Sequence, residues 1–147
     1  MNARKRTRGP WYRKAKNRTF VHLAFGAIVS SQNPLRLNEY NEPQPDIVVL
    51  KWRNDYYATK PHTPKDTLFV VEVSDSSLLY DVKTKLPLYG AAGVRELWIE
   101  NLKENVLWVC RNPEGRTYKT QLTLSRADAI SPLAFPDVSF KVADLLG

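Results

Sequence analysis

FVVEVSDSSLLYDVKTKLPLY, residues 69–89, is the stretch on which the fold turns. It begins as an apolar run from Leu68 to Val71, rich in β-branched residues, and reads as a strand over 67–74. Ser74-Asp75-Ser76-Ser77 then breaks the run. Leu78, Leu79, Val82, Leu86 and Tyr89 follow at helical spacing. Ser76 or Ser77 is expected to cap that helix, Pro87 to kink or weaken it, and Gly93 to end it. One acid, Glu72, lies inside the strand. A buried carboxylate is costly unless it is paired, hydrogen-bonded or bound to a cation, so the partners of Glu72 become the central question.

Upstream, Phe20 to Val29 is apolar and fits a strand or a short helix, with Ala27-Ile28-Val29 the best strand candidate. Leu35 and Leu37 alternate as in a short strand. Asn-Glu-Pro-Gln-Pro, 41–45, stays extended, because a residue before proline avoids the helical region. Asp46 then opens the strand DIVVLKW, and a polar loop fills 53–66. Downstream, strands are predicted over 96–100, 106–111 and 117–124 at hairpin spacing, with turns at 101–105 and 112–115. A short strand near Ala129-Ile130 and a last helical turn over 142–146 complete the chain. Strands before and after one main helix imply an α/β fold with a mixed sheet.

Length allows one domain. No apolar run approaches the ~20 residues that span a bilayer, so the cytoplasm is the expected compartment. Cys110, the single cysteine, reads as a small core residue. The net charge of +7 is uneven. Arg4, Lys5, Arg6, Arg8, Arg13, Lys14, Lys16 and Arg18 crowd the first 20 residues without an acid, and the remainder sums to −1. Residues 1–19 are therefore a basic arm and 20–147 the folded domain. Such an arm suits a phosphate backbone or an anionic membrane surface; a solvated tail is the plainer reading.

If the strands around Asp46 and Glu72 run antiparallel, the start of one meets the end of the other, and two carboxylates share a corner. They repel unless a cation sits between them, and hard Mg²⁺ is commonly held by one or two carboxylates. Lys85 on the following helix could orient water or stabilise charge on a phosphate. Each residue also has a simpler reading. Asp46 fits a strand entry, Glu72 fits an ion pair with a core Lys or Arg, and Asp81 with Lys85 fits a solvated i,i+4 pair.

Pro45-Asp46 followed by Glu72-Val73-Ser74 is similar to the PD-(D/E)XK nuclease signature, with Ser74 at the usual lysine position. The wider text is more specific. EPQPDIVVLKWRNDYYATKPHTPKDTLFVVEVSDSSLLYDVKTKLPLYGAAGVRELWIENL, 42–102, with ISPLAFPD, 130–137, resembles the Uma-two family of restriction endonucleases, from about Ser31 to the end. The resemblance implies a restriction-endonuclease-like mixed sheet with a flanking helix. It implies that Asp46, Glu72 and the Val73 carbonyl hold Mg²⁺ (or Mn²⁺). It also implies that the catalytic lysine has moved to Lys85 in YDVKTKLPLY, and that the reaction is hydrolysis of DNA phosphodiesters.

Such proteins usually carry an early Glu-bearing segment and a helix that packs on the sheet. Here the first acid is Glu39. The N-terminal helix is therefore expected to be reduced or missing, the start truncated or altered, and one sheet face poorly covered. DNA is the expected partner, bound in part by Arg4, Lys5, Arg6, Arg8, Arg13 and Lys14, with a homodimer as a further possibility. The alternative to an active nuclease is a nuclease-fold protein that only binds nucleic acid through its arm.

Overall fold

The computed structural model describes residues 20–22, 26–31, 33–76 and 78–147. Seven strands form one sheet in chain order: β1 (Phe20–His22), β2 (Ala27–Ser31), β3 (Ile47–Lys51), β4 (Thr67–Ser74), β5 (Glu96–Asn101), β6 (Val106–Glu114) and β7 (Thr117–Leu124). Neighbours are antiparallel except β4 and β5, which are parallel. Parallel neighbours need a crossover rather than a hairpin. Helix α1 (Leu79–Ala91) makes it. The fold is thus the mixed α/β sheet with a flanking helix that the sequence led us to expect; the expected reduction of the N-terminal helix falls on residues outside those described.

The period-two alternation of the strands divides the core. Val48, Leu50, Val70, Leu97 and Ile99 pack with Val82 and Tyr89 of α1. Val49, Phe69, Val71, Trp98 and Val109 pack with Val142, Leu145 and Leu146. The second face is therefore well covered, contrary to expectation. Its cover is the C-terminal tail: β8 (Ala129–Ile130) pairs with β9 (Phe140–Lys141), and α2 (Val142–Leu146) follows. Apolar residues spaced between prolines in the tail supply this cover, with Ile130, Phe135 and Phe140 adding to the cluster.

Several local expectations change. Leu35 and Leu37 form no strand; their amides bond to the carbonyls of Pro43 and Asn41, so 35–43 folds back on itself as a loop. Strand β6 runs through the expected turn to Glu114, which leaves Gly115-Arg116 between the paired residues Glu114 and Thr117. Of the serines expected to cap α1, Ser77 lies outside the described residues. The cap position is Leu78, whose amide N–H donates to Oδ1 of Asp75 at 3.1 Å. Asp75 holds the helix start because its carboxylate reaches forward over the turn to the Leu78 amide. Helix α1 continues four residues past Pro87. At its end Gly93, at φ +77°, lets the amides of Gly93 and Val94 bond to the carbonyls of Gly90 and Tyr89. That double bond pattern needs a left-handed residue, which glycine adopts without cost.

Candidate active site

The antiparallel register of β3 and β4 pairs Ile47 with Val71. The next step outward brings Asp46, just before β3, beside the end of β4. There Oδ2 of Asp46 accepts a hydrogen bond from the Val73 amide at 2.9 Å. Glu72 lies on the α1 side of β4 and is 3% exposed. Its Oε1 accepts a hydrogen bond from the Tyr89 hydroxyl at 2.7 Å and faces Lys85 Nζ at 3.7 Å. Both partners stand on α1, one turn apart at i,i+4, so a single helix face supplies the phenol and the ammonium.

These groups surround a cavity of about 220 Å³ lined by Gln44, Asp46, Glu72, Val73, Leu78, Asp81, Val82 and Lys85. The sequence candidates Asp46, Glu72, Val73 and Lys85 thus come together. The nucleic-acid candidates Arg4, Lys5, Arg6, Arg8, Arg13 and Lys14 lie outside the described residues. Lys85 pairs with Glu72 rather than with Asp81. Tyr89 was legible only as an apolar position, although a buried tyrosine hydroxyl usually seeks an acceptor.

Electrostatics set the character of the site. Burial, helped by the neighbouring Asp46 and opposed by Lys85 and the Tyr89 hydrogen bond, leaves the Glu72 carboxyl raised to about 7. Burial is the largest of these causes, so the acid is under-compensated by its own partners. Tyr89 is pushed upward by burial and by Glu72.

The donors suit a hard divalent cation. Asp46 uses Oδ2 and Glu72 uses Oε1 in the bonds above, and the two carboxyls lie close enough to interact with each other. Two carboxylate oxygens with room for water match Mg²⁺, which keeps much of its hydration shell. Among the described residues, no group of three or more His, Cys, Asp or Glu side chains is arranged to hold a metal ion. Among the described residues, a site here would draw on two carboxylates, backbone and water.

A crystal structure of a putative nuclease belonging to DUF820 from Anabaena variabilis superposes with a TM-score of 0.67 at 13% identity, over 92% of this chain and 73% of that one. At that identity the match speaks to the fold. No curated protein matches the sequence. The Uma2 family, described as putative restriction endonuclease, matches residues 13–143. That match spans most of the chain, and the chain belongs to the Uma2 family.

Proposed function

We propose that this protein is a Mg²⁺- or Mn²⁺-dependent endonuclease that hydrolyses DNA phosphodiesters in the cavity between β3, β4 and α1. The observation that carries the reading is the convergence of Asp46, Glu72 and Lys85 on that cavity. Asp46 and Glu72, with the Val73 carbonyl, would hold the cation. When bound, it would neutralise phosphate charge and favour ionisation of an attacking water. The Val73 amide fixes the Asp46 carboxylate, and Tyr89 fixes Glu72, so the acids are oriented before substrate arrives. Lys85 supplies an ammonium on the same side, suited to hold the attacking water or the phosphate oxygen on which charge grows. The cytoplasm is the compartment we infer, and among the described residues no helix is long and apolar enough to cross a membrane.

Supercoiled plasmid incubated with Mg²⁺ or Mn²⁺ should be nicked. Asp46→Ala and Glu72→Ala should each lower the rate by about a hundredfold or more with the fold retained. Equal nicking by the folded variants would refute the assignment.

A second reading has one observation in its favour, the absence of a third metal-ligating side chain among the described residues. In it the protein binds nucleic acid through the basic arm without cutting, and binding is independent of metal. A folded wild-type protein that binds DNA but leaves plasmid intact at every divalent cation tried would select it.

A further inference from the structure

Asp81 and Lys85 stand four residues apart on α1, acid first, which is the spacing and order at which such a pair closes on a helix surface. Both line the cavity. Yet the ammonium lies 3.7 Å from Glu72 Oε1, and among the described residues no ion pair joins it to Asp81. Asp81 is exposed and sits in the first turn of α1, where the helix dipole favours an anion. Two carboxylates thus compete for one ammonium. Glu72 prevails because the interaction of an ammonium with a buried carboxylate is less screened than with one in water.

A divalent cation held by Glu72 would reverse that preference, because it would satisfy the carboxylate and repel the ammonium. The acid on the same helix that also lines the cavity is Asp81. We propose that Asp81 is the alternate partner of Lys85, so that cation entry at Asp46 and Glu72 turns the lysine from Glu72 to Asp81 and frees it toward the cavity. The inference rests on the cation reading of the site. Asp81 is then a positioning residue that acts through Lys85, and Lys85 is a competitor of the cation until Asp81 takes it.

A double-mutant cycle on Mn²⁺ affinity, measured by calorimetry on the full chain without DNA, tests this. Asp81→Asn should weaken Mn²⁺ binding about threefold or more, because the lysine then has no second perch. Lys85→Met should tighten binding, because the competitor is gone. In the Lys85→Met background, Asp81→Asn should change the affinity by less than about twofold. Lys85→Gln replaces Lys85→Met in the cycle if the latter does not fold, as circular dichroism would show. Equal weakening by Asp81→Asn in both backgrounds would mean that Asp81 serves the cation itself, and would overturn the proposal. No effect in either background would overturn it too. Absence of Mn²⁺ binding by the folded wild type would instead remove the cation reading, and the proposal with it.

Discussion

Glu72 is a carboxylate whose surroundings do not fully compensate its charge. Its folded-state value near 7 lies above the ordinary 4.5, chiefly through burial. Glu100 is a second such group: fully buried, with no hydrogen-bond partner for either oxygen among the described residues, and pushed well upward by burial and by Asp46. An acid whose value rises on folding holds its proton more tightly in the native state. Its contribution to stability is complete below 4.5 and is lost as pH rises through the folded value. The metal-free protein should therefore lose thermal stability between pH 4.5 and about 7, and Glu100, raised in the same direction, should add to that loss. Glu72→Gln and Glu100→Gln should each flatten part of that slope, and Mg²⁺ should restore stability at pH 8 more than at pH 5, because the cation needs the ionised carboxylate. Melting temperatures across pH, with and without Mg²⁺, check this; identical slopes in all three proteins would contradict it. Glu72 was legible in the sequence because it interrupts an apolar run. Glu100 was not, because it closes a short run just before a turn, where an acid ordinarily meets water.

Helix α1 carries Val82, Lys85 and Tyr89 on one face, and its seat on the sheet decides where the ammonium and the phenol arrive. Gly90 sets that seat. A Cβ at Gly90 would meet the Thr117 carbonyl oxygen at 2.9 Å and the Thr117 amide nitrogen at 3.0 Å, both backbone atoms of β7. Gly90→Ala gains up to about 1 kcal/mol of helix propensity. The clash with backbone should outweigh that gain and leave a net loss of about 1–3 kcal/mol. Chemical denaturation measures it, and a stabilised variant would show that α1 can lift from β7 freely. Most elements of this fold were legible, because apolar period two and period 3.6 are both written plainly in 67–91. The cap was not: Asp75, Ser76 and Ser77 are all good cap residues, and only the backbone path selects the Asp75 carboxylate. Leu35 and Leu37 misled for a related reason. Their alternation is too short to distinguish a strand from a loop that bonds back on itself.

Across the molecule, one buried network ties the C-terminal tail to the sheet. Glu96 accepts from Arg111 Nε at 2.7 Å, from Trp98 Nε1 at 2.8 Å and from the Leu133 amide at 2.8 Å, while Arg111 donates to the Ser131 carbonyl at 2.6 Å. These bonds hold 131–133 against the sheet, and the tail packs on the face opposite α1. Sequence reading could not find this closure, because its partners lie up to 37 residues apart and bond partly through backbone. Glu96→Ala removes the carboxylate that faces the Arg111 guanidinium and the Trp98 indole N–H and should cost about 3–5 kcal/mol. Amide exchange over 125–147 should rise first if the tail separates before the sheet, whereas uniform exchange would show one cooperative unit. Charge is distributed on the same scale but along another axis. Eight cations fall within the first 20 residues and the remainder sums to −1, so if the protein binds DNA as proposed, residues 1–19 are the expected main source of phosphate contacts. Binding through phosphates falls with salt in proportion to the charges engaged, with a slope of about 0.9 per phosphate neutralised. Deleting residues 1–19 should therefore weaken DNA binding at low salt and flatten its salt dependence. The truncated protein should keep whatever cation affinity Asp46 and Glu72 provide, since one lies at the entry to β3 and the other within β4. A titration of labelled duplex at several salt concentrations, with Mn²⁺ calorimetry on the same protein, separates the two contributions. An unchanged salt slope after deletion would place the DNA contacts on the folded domain instead.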